Sequence, residues 1–457
     1  YTTAFYRELE CHLVKAINPL FNRIDAETAG NDRLVLRRAL ERYYLTDGAN
    51  DPLAIVLTPG SYVPQFRRRA APSGGLATGS GVHAGAAHKK PAILVLPLEP
   101  LGMPEHEFYV ADGFTEQLGA VLTTYQGIRV FGPLRRTRLA ADSHSAAELA
   151  IQHGADFLLR GTLRKHDAMI KVSVQLVEQA TGETVWSGQY DNRLEPTEWF
   201  DFEAHVAACV ANTVAGSFGV VMRRLTRRLL EQKTPSHVSF DAMLRWHHYF
   251  TVLTGEAWQE ARTALERAID VDPDYAPTHA MLADMYGAEY HVMGADLAML
   301  ARAEALVNRA LSLDPDNLFA HFMRASLYML QGQRDLFFHK AAYVLGAAPR
   351  RADLLGGLGV FLGFWGDWDR GLDLVREAMA LNPHYPGWYH YLPFLAAYRA
   401  GDHERALAET TRFNSPGFYW DVLLRTAVLG RLGRRAAAAA HLAQLVDLLP
   451  QTCLLYT

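Results

Sequence analysis

Six prolines in the second half of the chain, Pro273, Pro315, Pro349, Pro383, Pro416 and Pro450, are separated by 42, 34, 34, 33 and 34 residues. This near-regular spacing narrows the fold more than any other feature. Proline lacks the backbone donor and restricts the residue before it, so each one stops a helix. About 34 residues hold two helices and a turn. Gly255, Gly332, Gly366, Gly401 and Gly433 fall where those turns are expected, and a small residue there is read as permitting close helix approach. The stretch from Phe364 to Tyr385, FWGDWDRGLDLVREAMALNPHY, displays the plan in full: glycine, aromatic, amphipathic helix, then x-Pro. A lone pair cannot bury both of its apolar faces, so successive pairs must stack into a superhelix. The pairs are expected at 237–271, 276–313, 317–347, 351–381, 385–412 and 417–449, with an insertion near 292–300 lengthening the second.

From about residue 236 to 450 this pattern resembles the tetratricopeptide repeat (TPR) family. The resemblance implies an all-α solenoid whose first helices line a concave groove for a protein partner. The candidate groove residues are Trp246, Tyr249, Tyr286, Tyr290, Tyr328, Trp365, Tyr389 and Tyr398, with Phe250, Phe322, Phe361 and Tyr391 recurring beside them. Aromatic side chains make strong anchors at interfaces. They also fill cores, and inter-helix packing is the commoner role.

Residues 91–230 read as an α/β unit in the order β-α-β-α-β-β-β-α. Ala92 to Leu98 is a continuous apolar run of the kind that forms a buried strand. Helices are expected from about Phe108 to Tyr125, from Ser145 to His153 and, as one long element, from Thr197 to Leu230. Strands are expected at Ile128 to Gly132, Phe157 to Arg164, Met169 to Glu178 and Thr184 to Tyr190. The third of these alternates Ile170, Val172, Val174 and Leu176, which predicts one buried and one wet face. The segments ADGFTE, RGTLRK and ATGETVWS together resemble the TolB-N-terminal-like domain found ahead of TPR arrays in bacterial proteins, several of them linked to adenylate cyclase. By position, Asp112, Gly113 and Glu116 match that family's acidic run, and Gly161 and Gly182 its turns. The resemblance assigns none of them a catalytic role.

Residues 1–69 begin the chain, and 70–90, rich in Gly, Ala and Ser, read as a flexible linker. Asp32 to Leu45 predicts a helix, followed by a hairpin-like pair at Leu53 to Leu57 and Tyr62 to Phe66. The order resembles the end of a bacterial winged-helix domain, which would place the helix in a DNA major groove and the hairpin on phosphate. Arg33, Arg37, Arg38, Arg42, Arg67, Arg68 and Arg69 are the candidate DNA contacts, seven basic residues against three acids in that stretch. A solvated charged face is the plainer reading of the same residues. The expected architecture is therefore multi-domain: a small winged-helix-like segment, an α/β domain and an all-α TPR solenoid.

Several function classes lack their signatures. There is no GxxxxGK[ST], HExxH or GxSxG, and no paired Cys and His at zinc spacing. Gly357 and Gly359 form G-x-G, but within an apolar helix rather than after a strand, so packing explains them better than a dinucleotide. The ten histidines from His247 to His441 offer no clean metal spacing. The net charge of -4 gives no global pull toward nucleic acid or anionic lipid. Cys11, Cys209 and Cys453 are odd in number and far apart, which argues for a reducing, cytoplasmic setting without disulfides. No run of 18 apolar residues stands out as a membrane span. A start at Tyr1 and a stop just after a repeat suggest a piece of a longer protein. The expected function is a non-enzymatic scaffold or regulator in bacterial signal transduction, without cofactor or metal. The alternatives are a DNA-binding regulator and the regulatory portion of a cyclase-associated protein.

Overall fold

A computed structural model describes residues 53–56, 65–68, 90–134, 146–193, 198–231, 238–293 and 297–448. Two compact units are present, one spanning residues 12–87 and the other formed by 1–11 with 88–457. In the first, β1 (Leu53–Val56) and β2 (Gln65–Arg68) pair antiparallel, with Leu53 opposite Arg68 and Val56 opposite Gln65. The second strand thus begins three residues later than the sequence suggests and includes Arg67 and Arg68. Arg33, Arg37, Arg38, Arg42 and Arg69, with the expected basic helix, lie outside the described residues.

The larger unit opens with a mixed sheet. Strand β3 (Ala92–Val95) is buried along its whole length and lies between β5 (Arg129–Phe131) and β6 (Phe157–His166), parallel to both. A short strand, β4 (Glu99–Leu101), also runs parallel to β6 and has no counterpart in the sequence reading. Strands β6, β7 (Met169–Glu178) and β8 (Thr184–Arg193) form an antiparallel meander. Ile170, Val172, Val174 and Leu176 are all buried, as period-two alternation requires. Gly182 occupies a turn with φ +70°. Gly161 does not turn the chain. It sits within β6 opposite Val174, where a Cβ would press into the Ser173 carbonyl and come 2.8 Å from Leu98 Cδ2.

Helix α1 (Phe108–Thr123) packs on one face of this sheet through Phe114, Leu118 and Leu122, and α2 (Ala146–His153) joins a cluster with Leu94, Leu158 and Val177. The predicted long helix is two: α3 (Trp199–Ala215) and α4 (Val220–Glu231). Gly216 breaks it, with an extended ψ of 164° after the last helical residue. A Cβ at Gly219 would lie 2.8 Å from the Thr213 carbonyl oxygen, so this close reversal suits glycine. The stretch Trp199–Glu231 is long and apolar enough to cross a membrane by length and composition, contrary to the sequence reading, but 83% of its apolar window is buried inside the fold.

Helices then follow in pairs: α5 (Val238–Val252) with α6 (Gly255–Val271), α7 (Ala276–Met293) with α8 (Leu297–Leu313), α9 (Leu318–Leu330) with α10 (Arg334–Ala347), and α11 (Ala352–Phe364) with α12 (Trp368–Leu381). A 3-10 turn, Gly387–His390, leads into α13 (Tyr391–Arg399) with α14 (His403–Phe413), and α15 (Tyr419–Arg431) pairs with α16 (Arg435–Leu448). The array is an all-helical, TPR-like solenoid.

Gly332, Gly366, Gly401 and Gly433 serve a different purpose from the one the spacing suggests. All four have φ between 71° and 88°, and nothing lies within 4 Å of where a Cβ would be. They supply the left-handed turn between paired helices, not close approach. Close approach belongs to α11, where a Cβ on Gly357 would stand 2.5 Å from Phe322 Cζ and one on Gly359 would stand 2.7 Å from the Gly371 carbonyl.

Candidate functional site

The first helix of each pair faces inward, and the array curls tightly enough that its ends meet. A Cβ on Gly417, at the entry to the last pair, would lie 3.3 Å from Thr254 Cγ2 at the turn of the first. The inner face lines a half-open cavity of about 200 Å³. Helix α5 contributes Trp246, Tyr249, Phe250 and Leu253; α7 contributes Asp284, Gly287 and Ala288; α9 contributes Phe319, Phe322 and Ser326. Phe361 and Phe364 of α11 and Tyr391, Trp388 and Trp420 from the last two pairs complete the wall.

The rings brace one another. Trp246 packs edge-on to Phe319 at 5.3 Å, Phe322 stacks on Phe361 at 5.8 Å, and Tyr391 meets both Phe364 and Trp420 edge-on at 5.8 and 5.9 Å. Such contacts fix ring orientation in addition to burying area. Phe218, held in the break between α3 and α4, reaches the same cavity and lies edge-on to His247 at 6.4 Å. The α/β unit thus supplies part of the wall.

Two carboxyls line this apolar space. Asp353 is neutralised by Arg351, whose Nε and Nη2 donate to it at 3.0 and 2.8 Å, and by Ser217 Oγ at 2.7 Å. Burial would raise its pKa, but these partners hold it below the usual carboxylate value. Asp284 has no such help. Desolvation pushes it up to about 7, and the Trp246 indole, close to the carboxyl but outside hydrogen-bonding geometry, offsets this only in part.

The seam beside the cavity ties the α/β unit to the repeats. Buried Asn212 donates to the Arg350 carbonyl at 2.7 Å and accepts from the Ala352 amide at 2.8 Å. Arg351 lies 4.3 Å from the Tyr125 ring centroid and donates to the Thr124 carbonyl at 3.3 Å. Gln126 bridges to Asp314 and Asn317 at 3.3 and 3.1 Å. A second cavity of about 290 Å³ lies along this seam.

Of the eight groove candidates, Trp246 and Tyr249 line the inner cavity. Tyr286 lies between Arg262 and Arg302, at 5.5 and 6.0 Å, and its hydroxyl donates to Glu266 at 3.1 Å. Tyr389 is buried beneath Gly356 and donates to the Ala352 carbonyl at 2.8 Å. Trp365 packs against Phe337 and Arg334, and Tyr398 against Phe394 and His403. Tyr290 and Tyr328 are half-buried and do not line the cavity. The sequence reading passed over Asp284, Phe319, Trp388 and Trp420; a lone acid within the apolar run AMLADMY was the one signal available. Among the described residues no group of three or more His, Cys, Asp or Glu is placed to hold a metal.

Comparison with protein-family models gives no match. A putative adenylate cyclase 3 of Rhizobium meliloti (strain 1021) is 25% identical over 195 residues, which are 42% of this chain and 32% of that protein. The chain thus spans about a third of the length of this relative. Among solved structures, pilF of Pseudomonas aeruginosa is similar at 17% identity and a TM-score of 0.30, covering 46% of this chain and 92% of its own. YrrB, described as a TPR protein with an unusual peptide-binding site, gives 19%, 0.26, 41% and 93% on the same measures. A human IFIT1 dimer with m7Gppp-AAAA gives 14%, 0.38, 54% and 60%. The repeat architecture of this chain rests on its own helix pairs.

Proposed function

We propose that the chain is a non-enzymatic interaction scaffold that holds a protein partner through an apolar anchor inserted into the inner cavity, with the α/β unit fixing the cavity's shape. The observation that carries this reading is the wall itself: aromatic rings from five of the six helix pairs converge on one space. Aromatic anchors in desolvated pockets dominate binding energy where such surfaces associate. Trp246 and Tyr249 are the groove candidates placed to contact an anchor. The test is Ala288→Phe, which fills the cavity from a half-buried position without removing a buried group. Affinity capture by the variant should lose a partner that the outer-face variant Tyr343→Ala retains, with the melting temperature unchanged. Equal recovery by both folded variants would refute the assignment.

A second reading places the chain as the regulatory portion of a cyclase-type signalling protein, favoured by its similarity to the putative adenylate cyclase. It predicts that the chain alone makes no cyclic nucleotide from ATP. Cyclic AMP production by the purified chain would overturn both readings.

A further inference from the structure

We propose that the inner cavity takes an organic ammonium, a positively charged nitrogen on an apolar body, held by the carboxylate of Asp284 and the surrounding aromatic faces. The inference rests on the reading of this cavity as the binding site and names the chemistry of its occupant.

Four acids of this protein are each met by a cation of the chain itself. Glu178 has Arg224 and Arg228 at 2.9 and 2.6 Å, Glu409 has His390 at 2.7 Å, and Asp421 has Arg425 at 3.0 Å. Asp353 has Arg351. Asp284 forms no ion pair among the described residues, and no Lys, Arg or His lines the cavity it faces. A half-buried carboxyl on an apolar wall with no cation beside it is placed to pair with one supplied from outside.

The rings give a second, independent observation. The chain's own cations sit over Trp258, Tyr286, Trp365 and Trp368, all outside the cavity wall. Among the described residues no Lys or Arg is placed over Trp246, Phe319, Tyr391 or Trp420 of the wall, so a cation entering the cavity meets no competitor there. An anion would meet the carboxyl, and a neutral apolar ligand would leave it unpaired. An ammonium satisfies both the charge and the ring faces.

Binding favours the ionised carboxyl, so affinity rises with pH. Tyr249 faces the same carboxyl from α5, and Tyr391 lies across the cavity on α13; burial holds both phenols in the neutral form. Asp353 on α11 is paired, α9 places no ionisable group on the wall, and Arg262 of α6 and Arg302 of α8 sit over Tyr286 away from the cavity. Asp284, poised at about 7, therefore sets the profile, with about a tenfold gain in affinity from pH 6 to pH 8.

The test is calorimetric titration of the full chain with phenethyltrimethylammonium and with 2-methyl-4-phenylbutan-2-ol, its neutral counterpart in shape. We expect the cation to bind about 30-fold tighter at pH 8, and Asp284→Asn to remove both the preference and the pH dependence. Equal binding of the two probes, unchanged in Asp284→Asn, overturns the charged occupant and leaves the cavity reading standing. If neither probe binds a chain whose tryptophan fluorescence reports an intact fold, both fail. A third arm uses a short peptide capped at both ends, N-acetyl-Phe-Lys-Phe-amide, against its norleucine counterpart. Preference for the lysine peptide over phenethyltrimethylammonium assigns the ammonium to a protein partner, and the reverse assigns it to a free small molecule.

Discussion

Replacing Asn212 by alanine tests whether the seam joins the α/β part and the repeats into one cooperative body. The side chain is 1% exposed and bonds to the Arg350 carbonyl at 2.7 Å and the Ala352 amide at 2.8 Å, spanning the boundary between α3 and the first turn of α11. Alanine removes both bonds and also the one to the Ala208 carbonyl at 2.9 Å. The Ala352 amide is left buried on a residue 4% exposed. A buried backbone group without a partner costs about 1–3 kcal/mol. Two such groups, with partial relief for Arg350 because that residue is half-buried, give an expected loss of about 3 kcal/mol. Urea unfolding should be followed by tryptophan fluorescence, which is weighted toward the repeats, and by far-ultraviolet circular dichroism. The expected result is a lower midpoint, with the two signals separating as the α/β part and the repeats uncouple. The exposed Asn192→Ala serves as the control. A loss below about 0.5 kcal/mol, the scale of ordinary surface changes, with the two signals still coincident, would refute the coupling argument.

The two glycine roles predict different costs. Gly366→Ala meets no neighbour and should lose about 1 kcal/mol from the left-handed backbone alone, whereas Gly357→Ala drives a methyl into Phe322 and should lose about 3 kcal/mol, both read from denaturation midpoints. Burial would raise the Glu178 pKa, but hydrogen bonds from Arg224 and Thr181 and the charge of Arg228 outweigh it and hold it below the ordinary 4.5. Its stabilisation is therefore present above that value and lost as pH falls through the depressed one. Because both arginines are partly exposed, Glu178→Gln should cost about 2 kcal/mol at pH 7, with the deficit shrinking in acid; a deficit constant from pH 7 to pH 3 would contradict this.

The sequence by itself determined the repeat array, the alternation in β7 and most of the α/β elements, because those signals are local. A proline stops its own helix whatever lies beyond it, and period two or period 3.6 is written within one segment. Signals that need a second segment did not show. The break at Gly216 looked like continuous helix, since its reason is a fold-back against Thr213 that places Phe218 on the cavity. Turn glycines and packing glycines read alike until backbone angles and the positions of Phe322 and Gly371 separated them. The aromatic candidates divided in the same way: composition put Trp246 and Tyr389 in one class, and superhelical curvature placed the first on the cavity wall and the second in the core. Asp284 was the deepest of these omissions. Its significance comes from what surrounds it, aromatic rings from α5 through α15 and no cation, and that arrangement exists only once curvature brings distant pairs to one axis.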